Sequence, residues 1–201
     1  EPLRYWEFPA FTADSKESME VWAHRLREEL KASVKRRLLA DVPLGVFLSG
    51  GLDSSSITAL MTEICPGQVK SFSVGFSEKT FDESSYSRAV ADHLGTEHYE
   101  QVLHPQMALE IIDPLYESLD EPMADAAIIP TYLLSRFARE HVTVALAGEG
   151  ADELLGGYPT YFAHQLAHLV NWMPSPVFDL VRALVNQLPT SRKYLSFDFK
   201  L

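Results

Sequence analysis

Apolar residues fall into two kinds of run along this 201-residue chain. Short blocks stop abruptly at glycine, and longer stretches repeat an apolar residue every third or fourth position. The first kind predicts buried strands and the second predicts amphipathic helices. The block 44–48 (Leu-Gly-Val-Phe-Leu) breaks into Ser49-Gly50-Gly51. A helical pattern then opens at Ser54, Ser55 and Ser56, with Ile57, Leu60, Met61 and Ile64 on one face. Further strands are predicted over 71–76, 97–102 and 142–147, and helices over 15–39, 84–94 (closed by Gly95), 106–119 and 131–140. Strands alternating with helices imply an α/β fold with a doubly wound, mainly parallel sheet and flanking helices. Such a sheet brings the carboxyl ends of its strands to one edge, where ligands bind. Residues 161–172 and 176–187 read as two more helices, while 190–201 carries no assignable pattern. The organisation expected is a linker over 1–14 that packs on the domain through Tyr5, Trp6, Phe8 and Phe11, a domain over 15–160, and a helical extension over 161–201 that is cut short.

Charge narrows the partners. The formal net charge is -11, which argues against nucleic acid or an anionic membrane. Helix 15–39 gathers Arg25, Arg27, Lys31, Lys35, Arg36 and Arg37 opposite an apolar stripe of Trp22, Leu26, Leu30 and Val34. The interleaved Glu28 and Glu29 make a solvated face with internal ion pairs the better reading. Cys65 is the single cysteine, so no internal disulfide forms and a reducing cytoplasm is the expected setting. No apolar run is long enough to span a bilayer, and nothing resembles a signal peptide.

Candidate chemistry concentrates where two strands end. After 44–48, a glycine turn and a helix start form an anion site, because the first helical amides lack internal partners and the dipole favours negative charge. Asp53 would repel a phosphate there unless a divalent cation sits between them, and Mg2+ takes carboxylate and phosphate oxygens together. The run has no Gly-Lys-Ser/Thr ending, so it is not a Walker A loop. After 142–147 the chain reads Gly148-Glu149-Gly150-Ala151-Asp152-Glu153, again an apolar run ending in glycines and acids. A shared Mg2+ held by Asp53 and Asp152 would remove the repulsion among these carboxylates, leaving Glu149 to act on the reacting groups. His164 and His168 share one helix face at the spacing of a zinc pair, but no third ligand is evident.

Six stretches occur in order: Ser-Gly-Gly-Leu-Asp-Ser-Ser from Ser49, Ser-Phe-Ser-Val-Gly-Phe from Ser71, Phe-Asp-Glu from Phe81, Gly-Thr-Glu-His from Gly95, Asp-Glu-Pro-Met-Ala-Asp from Asp120, and Gly-Glu-Gly-Ala-Asp-Glu-Leu-Leu-Gly-Gly-Tyr-Pro from Gly148. Together they resemble the synthetase (ATP pyrophosphatase) domain of the glutamine-hydrolysing asparagine synthetase and amidotransferase family, over roughly Tyr5 to Tyr161. The resemblance implies an adenine nucleotide alpha hydrolase-like fold and an ATP-dependent, amide-forming ligase. A substrate carboxylate is adenylated with release of pyrophosphate, and ammonia then displaces AMP. It implies that Leu48, Ser49, Gly50, Gly51, Leu52, Asp53, Ser54 and Ser55 hold ATP, and that Val74 and Gly75 touch adenine. Ala147 and Gly148 would touch the nucleoside, Asp53 and Asp152 would bind Mg2+, and Glu149 with Asp53 would be catalytic. The implied partners are a small-molecule carboxylate and a glutaminase domain on the same parent chain, with a homodimer left open. Three features depart from the family pattern. Ala147 stands where Ser is frequent, no arginine falls within 125–129, and Lys193 and Lys200 have no motif to mark either as the lysine used near the phosphates. The acceptor, aspartate or another carboxylate, stays open, as do a tRNA-modifying ATP pyrophosphatase and a nucleotide-binding fragment without catalysis.

Overall fold

A computed structural model describes residues 3–7, 17–77, 82–125, 127–170 and 174–185. Expectations for 1–2, 8–16, 78–81, 171–172 and 186–201, with Phe81, Lys193 and Lys200 among them, lie outside the described residues. The chain divides into two compact units, Glu1–Ala40 and Asp41–Leu201. The first holds α1 (Met19–Arg37), a nineteen-residue helix. Its expected ion pairs are present in part: Arg25 makes two 2.7 Å contacts to the Glu17 carboxylate, and Arg27 lies 3.5 Å from Glu28. The apolar stripe is less covered than expected, because Trp22 and Leu26 are 46% and 49% exposed.

The second unit runs β1 (Leu44–Phe47), α2 (Leu52–Ile64), β2 (Lys70–Phe76), α3 (Ser84–Leu94), β3 (Glu97–Leu103), α4 (Pro105–Glu110), α5 (Ile112–Glu117), α6 (Ile128–Arg139), β4 (Val144–Leu146), α7 (Ala151–Leu155), α8 (Pro159–Val170) and α9 (Ser175–Val185). The four strands form one parallel sheet in the order β3-β2-β1-β4. Alternate side chains of β2 show how the sheet is covered. Phe72 and Val74 pack with residues of α6, including Leu133 and Phe137. Ser71 and Ser73 face the other way, where Ser73 meets Ser87 of α3. Helices therefore cover both faces, as a doubly wound sheet requires.

Two elements differ from expectation for identifiable reasons. The helix expected over 106–119 breaks at Ile111 into α4 and α5. Pro114 has no N–H to give the Glu110 carbonyl, and its ring crowds that oxygen. The strand expected over 142–147 shrinks to three residues, because the Val142 amide still closes the last turn of α6 on the Ala138 carbonyl at 2.9 Å. Among the described residues, no helix is long and apolar enough to cross a membrane.

The strand order fixes where a ligand would sit. From β1 the chain moves to β2 and then β3, whereas β4 joins β1 on its other side. The loops leaving β1 and β4 thus diverge to opposite faces and open a crevice at the carboxyl ends of the two strands. Those loops are the two glycine- and acid-bearing runs.

Candidate active site

The β1 loop is built from its own hydroxyls. The Leu48 amide donates to the Phe72 carbonyl at 2.8 Å, which extends the strand pairing by one residue. Ser54 Oγ then accepts from the Ser49 amide at 3.2 Å and lies 2.9 Å from Ser49 Oγ, while the Gly51 amide donates to Ser49 Oγ at 3.2 Å. The two serine hydroxyls therefore tie the loop to itself. Gly50 turns the chain at a φ of 83°, and a Cβ there would lie 2.6 Å from Ser87 N and Tyr86 C of α3. Only glycine fits such a combination of angle and contact. Helix α2 starts at Leu52 with Gly51 as its N-cap, a residue with no side-chain oxygen to satisfy the first amides. The amides of Leu52, Asp53 and Ser54, which have no carbonyl four residues back within the helix, are left for an anion.

The β4 loop is set against the first. Leu146 pairs with Val46, and the chain then passes through Ala147 to Gly148. A Cβ on Gly148 would lie 3.0 Å from both Asp53 C and Ser54 N, so the two loops touch backbone to backbone. Gly150 caps α7 at a φ of 90°. Asp152 lies with a carboxylate oxygen against Gly157, whose amide donates to the Asp152 carbonyl at 3.0 Å. Tyr158 Oη donates to Glu153 Oε1 at 2.6 Å. That bond holds the Glu153 carboxyl below the usual carboxylate range and pushes the Tyr158 phenol up to about 12.

The loops enclose a cleft of about 460 Å³. Of the sequence-predicted residues, it brings together Leu48, Ser49, Asp53, Ser54, Val74, Ala147, Gly148, Glu149 and Asp152. Gly50, Gly51, Leu52 and Ser55 support the loop without lining the cleft, and the buried Ser55 hydroxyl has no hydrogen-bond partner among the described residues. Gly75 is turned to Asp82 and Ser84, on the opposite face of β2 from Val74. Sequence reading missed Thr131 and Leu134 of α6, which form one wall. Their only signal is topological, since a crossover from β3 to β4 must lay a helix over the β1–β2 face. Two other clefts of about 440 and 530 Å³ contain no residue of either glycine loop.

Asp53 and Asp152 share the cleft, yet among the described residues no group of three or more His, Cys, Asp or Glu side chains is placed to hold a metal ion. A ready-made protein cage is thus not what the two acids form. They fit an ion that draws its remaining oxygens from water and phosphate, the habit of Mg2+. The side chain of His168 lies outside the described residues, so the histidine pair adds nothing to this picture.

A family model described as asparagine synthase matches residues 25–197. The chain belongs to the asparagine synthase family. Within it, glutamine-hydrolyzing asparagine synthetase 1 of Bacillus subtilis is 43% identical over 136 residues, covering 68% of this chain and 21% of that protein. A putative glutamine-hydrolyzing asparagine synthetase 2 of Methanocaldococcus jannaschii is 35% identical over 191 residues, 94% of this chain and 35% of that protein. The chain therefore spans between a fifth and about a third of the length of these two relatives. Among solved structures, glutamine-dependent NAD+ synthetase from Acinetobacter baumannii in complex with ADP covers 74% of this chain and 29% of that chain, at 18% identity and a TM-score of 0.47.

Proposed function

We propose that this chain is the adenylating part of an ATP-dependent, amide-forming ligase. The observation that carries the reading is the backbone contact of Gly148 with Asp53 and Ser54, which joins an anion-binding helix start to an acid-bearing loop at the switch point of the sheet. A carboxylate oxygen of the acceptor attacks the α-phosphorus of ATP. The bond to the bridging oxygen breaks, and pyrophosphate leaves with the electron pair. Ammonia then attacks the acyl carbon, AMP departs, and an amide remains. A carboxylate needs this activation because its carbonyl is a poor electrophile.

Each group has a place in that sequence. The amides of Asp53 and Ser54, both of which line the cleft, receive the departing pyrophosphate, where preorganised donors act on charge as it develops. Leu48 and Val74 offer the apolar wall for adenine, and Ala147 and Gly148 lie beside the nucleoside. Asp53 and Asp152 would hold Mg2+, which would neutralise charge on the phosphates. Glu149 faces the same cleft and assists adenylation by orienting the acceptor. Ammonia would come from a glutamine-hydrolysing domain elsewhere on the parent chain, and the single cysteine of this chain, Cys65, suits a cytoplasmic enzyme.

The test uses the full-length parent protein. Pyrophosphate exchange into ATP is measured across a panel of carboxylic acids that includes aspartate, and products are followed with ammonia or glutamine. Exchange that depends on one acid, together with AMP and pyrophosphate as products, is the expected result. Release of ADP and phosphate, or adenylation of a tRNA base, overturns the reading.

A further inference from the structure

The run Gly-Thr-Glu-His contributes nothing to the cleft, yet its histidine sits in a buried polar chain that leads there. His98 lies on β3, and both ring nitrogens are engaged from β2: Ser71 Oγ is 2.8 Å from Nδ1 and Ser73 Oγ is 3.1 Å from Nε2. Ser71 Oγ is also 2.7 Å from Thr96 Oγ1. Ser87 Oγ, on α3, reaches Ser73 Oγ at 3.2 Å and the Ser84 carbonyl at 3.0 Å. Ser71, Ser73 and Ser87 are all buried, in positions where apolar side chains would pack at no polar cost. Buried hydroxyls are tolerated when bonded and are destabilising when orphaned, so the imidazole that serves two of them is hard to replace. The chain ends at a telling place, because the backbone of Tyr86 and Ser87 is the surface against which Gly50 turns.

We propose that His98 is a positioning residue for the β1 loop. Through Ser73 and Ser87 it locates α3 on the sheet, and α3 in turn fixes the Gly50 turn that aims the α2 amides at phosphate. The inference rests on the reading of that loop as the pyrophosphate cradle. The ring is held neutral near neutral pH. Burial lowers its pKa, Arg88 on α3 reinforces that, and Glu100 on β3 with Asp92 on α3 opposes it. A neutral ring donates from one nitrogen and accepts at the other, and each serine hydroxyl can take either role opposite it.

Isothermal titration of the full-length protein with pyrophosphate and, separately, with AMP tests the assignment. Wild type binding neither ligand defeats the reading of the cleft itself, which is distinguishable from failure of the His98 role alone. With wild type competent, His98→Ala should weaken pyrophosphate about tenfold, about 1.4 kcal/mol, and leave AMP within about twofold. His98→Gln, whose amide nitrogen can stand near the Nε2 position, should restore most of that affinity, whereas His98→Asn, which reaches only the Nδ1 position, should not. Should His98→Ala fail to fold, Ser87→Ala carries the test and should show the same split between the two ligands. Equal losses for pyrophosphate and AMP, no loss for either, or equal rescue by Asn and Gln would overturn the assignment and leave His98 a core residue only.

Discussion

Two loops of similar grammar, each a strand end, a glycine pair and a helix start carrying acid, are held in different ways. The β1 loop is fixed from several sides: Leu48 is 1% exposed, Ser49 and Ser54 bond to one another, and Gly50 is pressed on α3. The β4 loop meets the β1 loop at Gly148, where a Cβ would lie 3.0 Å from Asp53 C and Ser54 N. Beyond it, a Cβ at Gly150 would meet nothing within 4 Å, and the short α7 leaves Leu154 and Leu155 76% and 65% exposed. The difference suits the proposed division of labour. Donors that receive a leaving pyrophosphate act best when their positions are set beforehand, since reorganising them during the reaction would take back what they contribute. Carboxylates that share an ion with a mobile substrate have to follow the substrate, and a loop with fewer contacts opens at lower free energy.

The largest effect should come from comparing the same substitution in both loops. Gly150→Ala meets only the penalty of a left-handed backbone, about 1–2 kcal/mol. Gly50→Ala meets that penalty and also drives a methyl group into the Tyr86–Ser87 backbone, which cannot swing aside as a side chain can. We expect Gly50→Ala to lose at least about 100-fold in ATP affinity, about 2.7 kcal/mol, and to melt well below Gly150→Ala, which should stay within about threefold of wild type in ATP affinity. Calorimetric titration and thermal melts of the two variants side by side check this. Equal effects would mean that the two loops are equally constrained and would erase the contrast.

Removing charge sharpens the comparison further. Asp53→Asn and Asp152→Asn should each weaken ATP about tenfold in the presence of Mg2+. In a chelator, where the acids only repel phosphate, each should leave ATP affinity unchanged or raise it. The double variant should lose less than the sum of the two, because both carboxylates serve one ion. Titrations with and without Mg2+ measure all three. Losses of the same size in chelator would show that the acids hold the loops together and do not act through a metal.

Much of this was legible in the sequence because both loops announce themselves as apolar runs cut by glycine. The strands, α2, α3 and the parallel sheet follow from that punctuation, and so does the convergence of Asp53 and Asp152. What escaped depends on contacts between distant segments. Nothing near Thr131 or Leu134 marks them as a wall of the cleft; the β3-to-β4 crossover puts them there. Ser71 and Ser73 read as ordinary strand residues, although they form a polar face that needs His98 and Ser87. The necessity of glycine at position 50 lies partly in α3, more than thirty residues later. The break at Ile111 is the exception, since Pro114 signals it locally.

The smallest effect belongs to the rim of the β4 loop. Tyr158→Phe removes the hydroxyl bond to Glu153 and leaves the ring in place. The Glu153 carboxyl, held low chiefly by that bond and also by a backbone hydrogen bond, should rise back toward the ordinary carboxylate range. The sign of the stability change follows from both partners. A lowered carboxyl pKa stabilises the fold above the ordinary carboxylate value, and that contribution fades as pH falls through the lowered one. A raised phenol pKa stabilises the fold below its ordinary value of about 10, and the contribution is lost as pH rises toward the raised value of about 12. Wild type should therefore melt slightly above Tyr158→Phe near neutral pH, with the gap closing toward both acid and alkali, while ATP affinity stays within about twofold. Melting curves across pH, together with an ultraviolet titration of the phenols, check the shape. A drop in ATP affinity comparable to that of Asp152→Asn would instead make Tyr158 a ligand contact, and the β4 loop would then bind through its aromatic rim as well as its acids.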